Sequence, residues 1–115
     1  MKILTDKSFI EAINLCKDNE CYRVLIVTQY SEDFNPLLDS LLQICDDVVY
    51  SKTHSWAKFQ NGSVIDMISS AATTRGRRAN LVLCQADVYN EYDEIKYVLG
   101  AMEMTNVNFK LKDEV

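Results

Sequence analysis

Tyr22-Arg23-Val24-Leu25-Ile26-Val27-Thr28 is a short run of β-branched and apolar residues. Its middle is apolar at consecutive positions, so both faces of a strand there must be buried, as they are when helices cover a sheet from both sides. Asn80-Leu81-Val82-Leu83-Cys84 has the same character. Working outward, Phe9, Ile10, Ile13 and Cys16 recur at helical spacing and predict a first helix reaching about Asp18. Ser8-Phe9-Ile10-Glu11 fits a capping box at its start, with Ser8 and Glu11 serving each other's free backbone amides. Asn35-Pro36 predicts the start of a second helix, with Leu37, Leu38, Leu41, Leu42 and Cys45 as its buried stripe.

Val48-Val49-Tyr50 reads as a further short strand. Ala57 to Ser69 predicts a hairpin turning at Asn61-Gly62, a pair suited to positive φ at both central positions. The segment from Ser69 to Arg78 is polar. Asn90 is placed to cap a last helix with Ile95, Val98, Leu99 and Met102 on one face, and Val107 to Leu111 alternates as a strand does. Helices alternating with buried strands predict an α/β fold. The expected architecture is a single three-layer domain over 1–115, with a mostly parallel mixed sheet and an inserted β-hairpin.

Composition narrows the function classes. The 115 residues are 48% apolar and carry a net charge of −5, from seventeen acidic and twelve basic residues. That balance disfavours a general polyanion binder, although a local basic patch remains open. Cys16, Cys21, Cys45 and Cys84 lie far apart without a C-x-x-C, and His54 is the single histidine, so neither a metal site nor a cofactor is expected. The cysteines read as mostly buried free thiols in a reducing compartment. The N-terminus lacks the apolar core of a signal peptide, and a cytoplasmic protein without a membrane role is expected.

Arg75, Gly76, Arg77 and Arg78 form the one dense positive patch. Guanidinium groups pair bidentately with phosphate or carboxylate, so the patch reads either as a contact to nucleic acid or an acidic partner, or as a solvated loop answering the chain's own acids. Trp56, with Lys58 two residues on, is either an exposed anchor for a partner or a stacked base, or partly buried packing. No Ser/His/Asp grouping or G-x-S-x-G points to a nucleophile. Asp87, Glu91, Asp93 and Glu94 suit a helix N-terminus, and Asp46-Asp47 suits a helix end meeting solvent.

The stretch from Phe59 to Glu103 resembles the ATPase domain of phage terminase large subunits, the motors that package DNA. It offers Phe59-Gln60-Asn61-Gly62-Ser63-Val64-Ile65, then Ser69-Ser70, then Arg75-Gly76-Arg77-Arg78-Ala79-Asn80-Leu81-Val82-Leu83-Cys84. The resemblance implies a P-loop-NTPase-like fold, in the cytoplasm of a bacterial host. The chain departs from the family where chemistry is done. No G-x-x-x-x-G-K-[ST] is present, and no glycine precedes Gly62. The strand that ends in Asp-Glu in the family runs here into Gln85-Ala86, and an amide and a methyl group neither hold magnesium nor orient water. The expectation is therefore a non-catalytic, pseudo-ATPase-like phage or prophage module that binds a protein partner: a packaging motor, a helicase or a host defence complex. Two alternatives stand beside it, a small nucleic-acid-binding accessory protein using Arg75 to Arg78, and a partial ATPase completed in trans by another subunit.

Overall fold

The computed structural model describes residues 2–69 and 79–91. It places β1 (Lys2–Ile3), α1 (Asp6–Asp18), β2 (Arg23–Val27), a 3₁₀ turn (Ser31–Asp33), α2 (Phe34–Ile44), β3 (Val49–Ser51), β4 (Trp56–Lys58), β5 (Val64–Ile68), β6 (Leu81–Cys84) and α3 (Ala86–Glu91) in that order. The strands form one sheet in the order β1-β6-β2-β5-β4-β3. The β1–β6, β6–β2 and β2–β5 ladders are parallel, while β5–β4 and β4–β3 are antiparallel. The fold is therefore α/β with a mixed, mostly parallel sheet and a hairpin at one side. No helix among the described residues is long and apolar enough to cross a membrane.

The two apolar runs occupy the centre of this sheet, with Val24, Leu25, Ile26, Val27 and all of Leu81–Cys84 buried. Alternate residues go to opposite faces, and each face has its own cluster. Val24, Ile26, Ile65, Met67, Leu81 and Leu83 meet Phe9, Ala12, Ile13 and Cys16 of α1 and Phe34, Leu38 and Leu41 of α2. Leu25, Val27, Ile68, Val82 and Cys84 meet Ala79 and Val88 of α3 on the other side. Each buried Leu, Ile or Val contributes about 1.5–3 kcal/mol, so these two faces dominate the folding energy.

Four expectations are corrected. The capping box lies one turn earlier: Thr5 caps α1, Ser8 N–H donates to Thr5 Oγ1 (3.0 Å), and Thr5 N–H donates to Ser8 Oγ (2.8 Å). Ser8 is buried and its hydroxyl also donates to Ile3 O at 2.9 Å, which fixes it as the third residue of the helix. Glu11 reaches instead to Lys2 Nζ, 3.4 Å away. Helix α2 starts at Phe34, because the preceding 3₁₀ turn leads directly into it, and Pro36 falls in its first turn. Helix α3 begins at Ala86, immediately beyond Gln85, so Asn90 lies inside it and is no cap. The last helical face and strand expected beyond it lie outside the described residues.

The hairpin turn also differs from the two-residue form expected. Among Phe59 to Ser63 only Gly62 has positive φ, at 86°. Gly62 N–H donates to Phe59 O (3.1 Å) and Phe59 N–H to Ser63 O (2.8 Å), which makes a three-residue loop with glycine in the left-handed position. Asn61 is kept out of that conformation by other work. Its Nδ2 donates to Cys16 O (2.7 Å) and Asn19 O (3.1 Å), and its Oδ1 accepts from Ser63 N–H (3.0 Å). Ser63 is fully buried; its hydroxyl donates to Asn19 O (2.6 Å) and accepts from Tyr22 N–H (3.0 Å). The turn thus caps the carboxyl end of α1 and pins the link from α1 to β2.

Removing the hydroxyl in Ser63→Ala takes away both the acceptor serving Tyr22 and the donor serving Asn19, and should cost about 1–3 kcal/mol. Gly62→Ala should cost about 1–2 kcal/mol through its left-handed backbone, and its new Cβ would meet Cys21 Sγ at 3.1 Å. Urea unfolding midpoints at unchanged m-value measure both.

Candidate functional site

In open α/β sheets, ligands bind beyond the carboxyl ends of the strands, where successive connections run in opposite directions. Here the chain passes from β1 over the place of β6 to β2, crosses to the rim strand β3, comes back through β4 to β5, and then passes over β2 to β6. The carboxyl ends of β2 and β6 are therefore the place to look. Thr28-Gln29-Tyr30 follows β2 and Gln85 follows β6.

These ends are tied together. Gln85 N–H donates to Val27 O at 2.9 Å, and Gln85 Oε1 accepts from Gln29 N–H at 2.9 Å. Thr28 N–H donates to Ile68 O (3.0 Å), and its buried hydroxyl donates to Tyr30 O (2.9 Å). Beyond them the 3₁₀ turn supplies carbonyl acceptors to the approach of α2: Asp33 N–H donates to Tyr30 O at 3.2 Å, and Phe34 N–H to Ser31 O. Glu32 is exposed and Asp33 half-buried at this same helix start. The Thr28, Gln29, Asp33 and Phe34 amides of this strand-to-helix turn are thus occupied, and two carboxylates take the favourable end of the helix dipole.

Of the residues singled out from sequence, Trp56 and Lys58 are brought together on β4. Lys58 Nζ sits 4.6 Å from the centre of the half-buried Trp56 ring, a cation–π contact contributing about 0.5–1 kcal/mol. Arg75, Gly76, Arg77 and Arg78 lie outside the described residues. His54 is exposed. No group of three or more His, Cys, Asp or Glu side chains is positioned to hold a metal among the described residues.

One feature escaped the sequence reading. An open cavity of about 390 Å³ lies between the ends of α1 and α2 and the hairpin turn, lined by Lys17, Ile44, Cys45, Asp47, Phe59 and Asn61 among others. Burial raises the Cys45 thiol pKa, Lys17 opposes the rise, and Asp46 and Asp47 add to it. A thiol held protonated is a poor nucleophile, so Cys45 serves as packing. Nothing in the local spacing could announce this cavity, because its walls come from three separate segments.

All four cysteines are free thiols, and only Cys21 is exposed. Compared with protein-family models, with curated proteins and with solved structures, the chain matches none.

The buried thiols make stability fall in alkali. Burial pushes Cys84 from the ordinary value of 9.0 to about 11 and raises Cys16 further, with the neighbouring Cys45 adding to the rise. Below the unfolded-state pKa both states hold these protons; above it only the folded state does, so stability drops as pH climbs towards 11. The slope approaches about 1.4 kcal/mol per pH unit for each thiol. Urea melts at stepped pH from 8 upward should show a shallower decline in Cys84→Ala than in the parent chain.

Proposed function

We propose that this chain is a non-catalytic α/β module, related to the terminase motor lobe, that works by binding a protein partner such as a packaging motor, a helicase or a host defence complex. The observation that carries the reading is the Gln85–Gln29 latch across the carboxyl ends of β6 and β2. In a nucleotide-hydrolysing α/β domain this region presents free amides and acids to a triphosphate and its magnesium. Here the Gln29 amide is already paired, and the side chain that pairs it stands where the resemblance would place an acid. Glu32 and Asp33 add negative charge beside it and repel phosphate.

Such a domain keeps the shape of a motor lobe without its chemistry, and a retained shape serves recognition. The step from shape to partner is fold-level analogy. It suits docking through contacts that a motor subunit would make with its neighbours.

Thermal melting with excess magnesium-ATP tests the nucleotide half. The expected outcome is an unchanged Tm, whereas a ligand at 100 times its Kd would stabilise by about 2.7 kcal/mol. A magnesium-dependent rise in Tm would overturn the proposal. Calorimetric titration of the chain into a purified packaging-motor ATPase tests the partner half, and saturable binding with the motor's own nucleotide site intact is expected.

A further inference from the structure

Strand β3 closes the sheet at the hairpin side, and its outer edge has no partner strand among the described residues. It is not protected as sheet edges usually are, by charge, proline or a bulge within the strand. Val49 is 67% exposed and Tyr50 44%, and Ile44 at the end of α2 is 45% exposed close by in sequence. Just beyond the two ends of β4, Ser55 and Phe59 bond to the facing arm of the hairpin, through Met67 N–H to Ser55 O (2.9 Å) and Phe59 N–H to Ser63 O (2.8 Å). The antiparallel alternation then turns Ala57 to β5, and Trp56 and Lys58 to β3. Their register partners Ser51 and Val49 face inward, so the backbone N–H and C=O of Tyr50 point out of the sheet. Continued one residue beyond the start of β3, the same alternation would bring those of Val48 to this edge.

The flanking charges decide what fits this edge. Asp46 and Asp47 stand just before β3 and Lys52 just after it, all exposed and without an ion pair among the described residues. Asp46-Asp47-Val48-Val49-Tyr50-Ser51-Lys52 is acidic at one end and basic at the other, so a reversed copy of it is its electrostatic complement. A two-fold axis normal to the sheet keeps faces together, and paired residues must share a face, so the axis passes through a residue position. Centred on Val49, it sets Val49 opposite its own copy, Val48 opposite Tyr50, and Asp46 opposite Lys52. The outward backbone groups of Val48 and Tyr50 then pair with each other across the axis. Centred on Tyr50, it would set Val48 against Lys52 and lose the charge match.

We propose that β3 pairs with β3 of a second copy of this chain, antiparallel about a two-fold axis at Val49, joining two six-stranded sheets into one. The contact is independent of the nucleotide question, since it lies on the opposite side of the sheet order from β6. Tyr50 extends the contact on the face of α1 and α2, and Val49 closes it on the other face.

Sedimentation velocity of the full chain over a range of concentrations tests this. A concentration-dependent species of twice the 13.2 kDa chain mass is expected. Val49→Lys sets two like charges against each other on the axis and should weaken association by at least about tenfold. It should leave Tm unchanged at concentrations low enough for the parent chain to be monomeric, since the residue is exposed there. Asp46→Lys and Lys52→Asp should each weaken it, and the double variant should restore it, because the charge pair is then merely reversed. A monomer at every concentration would overturn the proposal, as would a dimer indifferent to Val49→Lys and to the charge exchange. Failure of the double variant to recover would overturn the Val49-centred register.

Discussion

The fold depends on a polar tie between two segments far apart in the chain. Asn61 and Ser63 reach from the hairpin turn to Cys16, Asn19 and Tyr22, and take up the backbone groups left where α1 stops and β2 begins. The end of a helix leaves carbonyls without intrahelical partners, and burying them without a donor is expensive. Apolar packing alone would tolerate several placements of α1 on the sheet. The tie selects one, because an amide and a hydroxyl must meet specific carbonyls within hydrogen-bonding distance. Asn80 does the same at the next strand, its Oδ1 accepting from Arg23 N–H and its own N–H donating to Arg23 O, both at 2.8 Å. Strand β2 is therefore set at its entry by β5's turn on one side and β6's approach on the other.

What was legible in the sequence was the part governed by one-dimensional pattern. Val24 to Val27 and Leu81 to Cys84 announce doubly buried strands through their lack of alternation, and both are buried as read. Helix α1 and the stripe of α2 follow from spacing in the same way. The misreadings arise where two local rules compete and distant contacts arbitrate. Ser8-x-x-Glu11 fits a helix start, but the bonds of the Ser8 hydroxyl to Ile3 O and to Thr5 set the start one turn earlier. Asn61-Gly62 fits a two-residue turn, but the Asn61 side chain is spent on the end of α1, so glycine alone takes positive φ.

The candidate site was less legible for a related reason. Sequence identified Gln85 as a departure from an acid, yet not what the amide does, since its partner Gln29 is 56 residues away. Likewise Val48-Val49-Tyr50 looks like any apolar strand, and only the strand order places β3 at the rim with Val49 and Tyr50 exposed. Trp56 and Lys58 fall together because alternate residues of β4 share a face, a relation that short spacing does carry.

The long span of the polar tie bears on how the chain acquires its shape during vectorial synthesis. Tyr22 waits 41 residues for Ser63, and Arg23 waits 57 for Asn80. A ribosome adds roughly 5–20 residues per second, so the amino-terminal third emerges seconds before its hydrogen-bonding partners exist. During that interval α1 and the apolar β2 are nascent elements without a sheet, and only the late arrival of β5 and β6 converts them into a folded body. Folding of this chain is consequently gated by its second half, as expected for a parallel topology rich in non-local pairings.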